Sequence, residues 1–536
     1  MLSSSRLWRT ITLCSLGVLL AACGGDGKSA AAVPEKVQAI FDKPAYRNAV
    51  WSLRVVDLQD GRVLVDHNSE RKMLIGSVRK LFSVGAALDA LGAEHVFRTP
   101  VFRQGTISNT GVLNGNLVLV ASGDLTMGGR RNPDGSLAIS PYDHNEANAL
   151  GNAVLTAPDP LAGYNELAAQ VVASGIRQVN GDVVIDDRLF EPFNFRDEFM
   201  IRPIFVNDAA VDVVVAQDAS VDWRPKSAAF TVQSSLQSVA AGNPLTLALD
   251  PELPTCIGQM LCDGFVRGRL PSDFVPPFTG AYPLVRTFRI VQPSNYARTV
   301  FIEALARAGV TVGAPAVAVN PAQTLPPRGS YTPASQVAEL VSHPFKDYAR
   351  LTLKVSYNIG ADISTMLFGL TRGVRTFPEA LAAEVAALGS QFGVPSNELH
   401  FVDGSGGGDT SATNTAVIRM LEAMAKRPSG ALFKDAQPRL GVDGSLGFVT
   451  DFLSDPALSG ARGQVYAKTG TYVDGSSAGP FYKAQALAGY IDSRSGRRLA
   501  FTLAVNDVGV LKNGLADVLP VFQDQGAVAA ILWSLH

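Results

Sequence analysis

Between Gln104 and Pro333 the chain changes texture, and that change constrains the fold more than any other feature of the sequence. The stretch is a series of short apolar runs broken by Gly, Pro, Asn and Asp. Asn116-Leu117-Val118-Leu119-Val120 and Gly181-Asp182-Val183-Val184-Ile185-Asp186 are examples. Such a pattern predicts one or two mainly β domains, interrupted by helices over Tyr164 to Ser174 and Asn295 to Ala308. The flanking regions read differently. Upstream, Trp51 to Leu58 and Arg62 to Asp66 alternate around an Asp60-Gly61 turn, as in a hairpin. A helix follows from near Ser77 to Leu91, with Leu81, Val84, Leu88 and Leu91 at helical spacing and Gly92 as its stop. Downstream, helical patterns dominate from Pro333 to Lys426. Three strands come next, over Gln464 to Val473, Ala484 to Asp492 and Arg497 to Asn506, and an amphipathic helix runs from Val518 to Leu535. A chain of 536 residues exceeds one compact core, and its length predicts two to four domains.

Composition excludes several functions. Apolar residues make up 47% and charged residues 18%, the balance of a globular protein. A formal net charge of −2, without a Lys/Arg run or basic helix, gives no footprint for nucleic acid. The six histidines show no zinc-ligand spacing. Gly404 to Gly408 lacks the Lys-Ser/Thr of a phosphate loop. Neither metal nor nucleotide cofactor is implied. Gly475-Ser476-Ser477-Ala478-Gly479 matches the nucleophile-elbow pattern, but Pro480 follows and no helical pattern begins, so the required strand-turn-helix context is missing.

Three segments carry candidate chemistry. In Ser77-Val78-Arg79-Lys80 the hydroxyl and the amine stand at i and i+3, on one helix face. A serine hydroxyl needs a base, and lysine serves only when neutral. At the reference pKa that form is about one molecule in 2,500 at pH 7, a penalty near ~4.6 kcal/mol. Burial and a second cation would lower it. The bland alternative is a capped surface helix. Ser356-Tyr357-Asn358 is the second segment. In an extended stretch its hydroxyl and amide would face one pocket, whereas the ordinary reading is a helix N-cap. The third is Lys468-Thr469-Gly470-Thr471 in a strand-like run, where glycine admits close backbone approach; a bulge with a solvated lysine is its alternative.

The N-terminus has Arg6 and Arg9 before an apolar run from Ile11 to Ala22, too short to span a bilayer comfortably. It ends in Leu20-Ala21-Ala22-Cys23, which resembles the bacterial lipobox. That resemblance implies a lipidated Cys23 and an exported, membrane-anchored protein. An ordinary secretory signal with an incidental Cys is the alternative. The acyl chains would anchor the chain at roughly 0.8 kcal/mol per buried methylene, and Gly24, rather than Asp, after the cysteine hints at outer-membrane sorting if the host is Gram-negative. With Cys14 in the signal and Cys23 acylated, Cys256 and Cys262 remain and are expected to form a small disulfide loop. A two-thiol metal site without a nearby His is poor zinc chemistry.

Taken in order, Ser-x-x-Lys, Ser-x-Asn and Lys-Thr-Gly resemble the motif set of penicillin-binding proteins and class A β-lactamases. The interval from Ser77 to Ser356 is far longer than a β-lactamase places between the first two. The chain is therefore similar to the class C low-molecular-mass penicillin-binding proteins, the D-alanyl-D-alanine carboxypeptidase/endopeptidase family of the penicillin-binding protein 4 type. Asn180 to Asp187 and Asp403-Gly404-Ser405-Gly406 are local points of likeness. The resemblance implies an α+β fold: a transpeptidase-like domain, with an antiparallel sheet flanked by helices and an all-helical region, carrying mainly β inserted domains. The expected division is a signal peptide over 1–22, a tether over 23–34, a first catalytic part over 35–103, the insert over 104–334 and a second catalytic part over 335–536.

It further implies a nucleophilic Ser77, a general base Lys80, and a Ser356, Asn358 and Lys468 set for proton relay and positioning. Thr469, Gly470 and Thr471 would bind substrate, with the N–H groups of Ser77 and Thr471 as oxyanion hole. The implied partners are peptidoglycan peptides, as substrate, and β-lactams, as inhibitors, on the periplasmic side of a membrane. The oligomeric state is open. Tyr357 departs from the usual Asp, Val78 from a small polar residue, and Gly406-Gly407-Gly408-Asp409 and Val473 to Lys483 are less typical. Two other readings stay open at this point: an idle wall-binding scaffold, and a β-lactamase or esterase on the same core.

Overall fold

The computed structural model describes residues 32–477 and 479–536; the lipobox-like segment with Cys23 lies outside the described residues. The two ends of the described chain meet in one five-stranded antiparallel sheet. Its order is Val63–His67, Val50–Asp57, Arg498–Val510, Gly479–Asp492, Val465–Ser476. The N-terminal hairpin forms where the alternation put it, and Gly61 takes φ +73 in its turn, a conformation glycine reaches without strain. The last strand then pairs with the first, Leu53 opposite Leu503. Lys468 stands on the edge strand.

Each face of this sheet is covered. On one, the helices Lys80–Leu91, Phe345–Lys354, Asn358–Thr371, Phe377–Phe392 and Asn414–Ala425 pack around Leu81, Phe82, Leu351, Ile363 and Met420, against Ala486, Ala488 and Ala500 of the strands. On the other lies the terminal helix Leu515–Leu535. It is long and apolar enough to cross a bilayer, but Val528, Ala529 and Leu532 are buried with Leu53, Val55 and Leu503 in a shared core. It acts here as a core helix. The architecture is α+β.

A second core belongs to the intervening stretch. Its largest sheet runs Thr311–Val312, Gln178–Val179, Val112–Val120, Val96–Ile107, Gln336–Pro344, and Val183–Asp186 pairs with Val112–Val120. Two three-stranded sheets follow: one from Val221–Arg224, Ala210–Val215 and Leu284–Arg289, the other from Thr231–Val239, Asp263–Pro271 and Ala248–Asp250. The helices Ala162–Ala173 and Pro293–Arg307 pack together with these sheets through Tyr164, Leu167, Val300 and Phe301. Cys256 and Cys262 form a disulfide.

Two expectations change. Gln336–Pro344 is a strand, although the pattern from Pro333 reads as helical. Ala338, Leu340 and Ser342 alternate inward against the second core, and pairing with Val96–Ile107 overrides helical propensity. That pairing carries the six-stranded sheet across both expected boundaries, 103/104 and 334/335, so the chain enters and leaves the intervening stretch through hydrogen-bonded strands. The helix expected from Ser77 opens instead as a 3₁₀ turn, Gly76–Arg79, and becomes α-helical only at Lys80.

Arg79, inside that turn, is fully buried. Its guanidinium grips the equally buried Glu384 at 2.7 and 2.9 Å, stacks 4.0 Å over Phe401, and donates to the Asp403 carbonyl at 2.9 Å. This ties the turn to the Phe377–Phe392 helix. Removing one partner strands a buried charge, at a cost of about 3–5 kcal/mol, whereas replacing both with apolar residues costs far less. Urea unfolding should show Arg79→Met and Glu384→Leu each losing that amount, and the double variant recovering most of it; additive losses would contradict the pairing.

Candidate active site

The 3₁₀ turn has three residues per turn, so residues three apart eclipse. Ser77 and Lys80 are so placed, and Lys80 Nζ lies 2.6 Å from Ser77 Oγ. The amine also donates to Asn358 Oδ1 at 2.7 Å and to the Ser405 carbonyl at 2.8 Å. A neutral amine has two N–H groups and one lone pair. Asn358 and Ser405 take the two donors, which leaves the lone pair for the Ser77 hydroxyl.

Ser356 and Asn358 lie where the Phe345–Lys354 and Asn358–Thr371 helices join. The segment is not extended, as the sequence reading had it: Ser356 takes φ +63, a strained backbone for a non-glycine residue. Nor is it an N-cap, because Tyr357 holds that position without a side-chain bond and Asn358 is already helical. Ser356 Oγ accepts from Lys468 Nζ at 2.9 Å, and Lys468 also donates to the Thr469 carbonyl at 2.7 Å.

Gly470 brings the third segment against the first. A Cβ there would lie 2.0 Å from the Ile75 carbonyl and 2.9 Å from Ser77 N, and one on Gly76 would lie 2.9 Å from Thr471 N. Only paired glycines let the edge strand and the turn approach so closely. The N–H groups of Ser77 and Thr471 come to the same corner as a result. Ser77, Ser356, Asn358, Thr469 and Thr471 line one cavity of about 1010 Å³, while Lys80 and Lys468 are fully buried behind it.

Burial sets the charge of the site. It drives Lys80 down, assisted by the Arg196 guanidinium and opposed by Glu146, Asp403 and Asp362, to about 7. Lys468 falls well below the usual lysine value through burial and the nearby Lys80. Burial and Asp403 push Asp362 up to about 8, where its Oδ1 accepts from Gly404 N at 2.9 Å. Burial works against the Asp403 carboxylate too, yet Arg196 and the N–H groups of Gly406 and Gly407 outweigh it and hold that group low.

The structure brings Ser77, Ser356, Asn358, Thr469 and Thr471 to this cavity with Lys80 and Lys468 behind it, and three further residues at the site escaped sequence reasoning. Arg196 reaches in from the turn between Phe193–Phe195 and Phe199–Ile201 and donates to Ser405 Oγ at 2.9 Å. Glu146 accepts from Asn358 Nδ2 at 2.9 Å. Ser445 shares a 2.7 Å hydroxyl contact with Thr469. None sits in a motif; left-handed φ at Arg196 and Asp197 marks a tight turn, which says nothing of its neighbours.

Behind Glu146, the side chains Asp143, His144 and Asp208 cluster closely enough to hold a cation. Their cation is already present. Arg130 donates to Asp143 at 2.8 and 2.9 Å and to Asp208 at 2.6 Å. Burial opposes the charge on His144, but Asp212 and Asp208, at 2.7 and 2.9 Å, outweigh it and raise the imidazole to about 10. A cluster that holds a guanidinium and an imidazolium does not fit a metal ion.

Fold and site together define an active-site serine hydrolase of the penicillin-binding protein and β-lactamase type. The chain belongs to the D-Ala-D-Ala carboxypeptidase 3 (S13) family, whose sequence profile matches residues 33–518. It is 27% identical over 526 residues to a D-alanyl-D-alanine carboxypeptidase of an Actinomadura species, covering 92% of this chain and 84% of that one. Its fold is that of penicillin-binding protein 4 from Haemophilus influenzae, at a TM-score of 0.66 and 19% identity over 93% of this chain and 99% of the other. The same protein complexed with a β-lactam matches at a TM-score of 0.63 and 20% identity, again over 93% and 99%.

A lysine that titrates near neutrality is observable. In protein with ¹³C-labelled lysines, the Lys80 Cε resonance should titrate with a midpoint at about 7. Removing the Arg196 charge favours the protonated amine, so Arg196→Ala should move that midpoint upward. A Lys80 midpoint near the ordinary ~10.4, or no response to Arg196→Ala, contradicts the assigned electrostatics.

Proposed function

We propose that this protein is a serine D-alanyl-D-alanine carboxypeptidase/endopeptidase that cleaves peptidoglycan stem peptides and cross-links through an acyl-enzyme on Ser77. The observation that carries the reading is the Lys80 amine, buried and 2.6 Å from Ser77 Oγ. Ser77 Oγ attacks the carbonyl of the penultimate D-alanine while its proton passes to the Lys80 lone pair. The oxyanion develops against the N–H groups of Ser77 and Thr471, where one donor is typically worth about 3 kcal/mol. The C–N bond breaks as Ser356, hydrogen-bonded to Lys468, hands its proton to the leaving amine and is replenished by the proton that Lys80 took, which leaves Lys80 neutral again. Water then attacks the ester, the neutral Lys80 takes its proton, and that proton returns to Ser77 Oγ as the ester C–O bond breaks.

Thr469, with Ser445 beside it, and Lys468 form a polar corner suited to the terminal carboxylate of the substrate. The substrate backbone adds as a strand along the Lys468 edge. Family membership and the Actinomadura relative support the same reaction. The β-lactam complex of the Haemophilus protein supports trapping by penicillins. The lipobox-like end supports a lipidated Cys23 and a periplasmic, membrane-anchored location.

Intact-mass analysis after incubation with benzylpenicillin should show one penicilloyl adduct, mapping to Ser77 and absent in Ser77→Ala. The same preparation should release D-alanine from a pentapeptide muropeptide. An adduct on the Ala variant, or no D-alanine release, would overturn the proposal.

A further inference from the structure

We infer that Glu146, supplied by the intervening stretch, is a positioning residue that fixes the Asn358 amide and thereby aims the Lys80 lone pair at Ser77. The inference rests on the acyl-enzyme reading above and assigns the stretch between the first two motifs a part in the chemistry.

The geometry is a chain of three contacts. In the charged form that Arg289, Lys80 and Arg196 favour, the Glu146 carboxylate only accepts hydrogen bonds, so its Oε1, 2.9 Å from the amide, selects the NH₂ end of Asn358. Oδ1 is then compelled to face Lys80, 2.7 Å away. With the amide reversed, its NH₂ would confront the amine N–H groups, and the lone pair would turn from Ser77 towards Asn358. Asn358 Nδ2 keeps a second N–H, free to meet a substrate carbonyl in the cavity that Glu146 also lines.

Glu146 is firmly held. It ends the 3₁₀ turn His144–Glu146, whose N-cap is Asp143, clamped by Arg130. His144 is fastened between Asp208 and Asp212, and Arg289 donates to the Asn145 carbonyl at 2.6 Å. The same network reaches the second motif from the other side, because the buried Tyr357 hydroxyl donates to the Asp208 carbonyl at 3.2 Å. Tyr357, where an Asp is more usual, thus joins the motif loop to the segment that carries Glu146.

Burial pushes the Glu146 carboxyl up, and Asp143 on its own turn adds to this; Arg289 on the Leu284–Arg289 strand, Lys80 on its helix and Arg196 on its turn oppose it and favour the charged form. Its negative charge in turn supports the protonated forms of Lys80 and of Lys468 on the edge strand. Position and charge are therefore separable. Glutamine keeps an acceptor for Asn358 and lacks the charge; alanine lacks both.

The test follows the rate of Ser77 acylation by a chromogenic cephalosporin from pH 5 to 9, in wild type, Glu146→Gln and Glu146→Ala, with melting curves for each. In both variants the acid limb should move to lower pH, because loss of a neighbouring anion disfavours protonated Lys80. At the plateau Glu146→Gln should stay within about threefold of wild type and Glu146→Ala should fall at least about tenfold, the loss of one positioning hydrogen bond. Wild-type acylation by a folded Ala variant overturns the inference, as does a Gln variant no faster than Ala. If the Ala variant does not fold, an unshifted acid limb in the Gln variant is the overturning result. Absence of acylation in wild type would instead defeat the acyl-enzyme reading itself.

Discussion

One buried amine with one free lone pair is the constraint on which the site depends. Lys80 is enclosed by protein, where its charge is expensive and its neutral form is favoured. The two acceptors at Asn358 and Ser405 then leave one direction for the lone pair, towards Ser77. Each larger feature serves that geometry. Gly470 and Gly76 permit the edge strand to touch the 3₁₀ turn, Arg79 anchors the turn through Glu384, and Lys468, buried behind the cavity, is a second amine whose charge burial and Lys80 disfavour. Carboxyl groups nearby prevent the opposite extreme: Glu146, Asp403 and Asp362 act against burial and hold the Lys80 pKa at about 7.

The intervening stretch shapes the same site. Glu146 and Arg196 come from it and act on Lys80 with opposite sign. Their supports differ. Glu146 stands on a buried ionic network, whereas Arg196 is partly exposed at a hairpin tip and lies 3.6 Å from Asp403. Because the stretch enters and leaves through paired strands of one sheet, Val96–Ile107 and Gln336–Pro344, its orientation to the catalytic sheet is set by structure continuous with both. An aromatic series, Tyr142, Phe278, Phe448 and Phe522, bridges from it to the terminal helix along one flank of the cavity.

Much of this was legible in the residues. Ser77, Lys80, Ser356, Asn358 and Lys468 sit in motifs whose spacing carries chemistry, and the alternation around Asp60-Gly61 and after Lys468 located the strands of the catalytic sheet. What stayed hidden has a common physical cause. Glu146, Arg196 and Ser445 act through partners far away in sequence, and a lone Glu or Arg in a polar loop has no local pattern. The left-handed Ser356 is imposed by packing between two helices, so it could not be read from a Ser-Tyr-Asn string. The Gln336–Pro344 strand was masked because its alternation is short and its pairing partner lies at the start of the intervening stretch.

Neutron diffraction from crystals held at pH 8 tests the central claim most directly, since it locates deuterium on the amine and on the hydroxyl. The account predicts two deuterons on Lys80 Nζ, directed at Asn358 Oδ1 and the Ser405 carbonyl, with the Ser77 deuteron lying between Oγ and Nζ. Three deuterons on Nζ, one of them aimed at Ser77 Oγ, would contradict it.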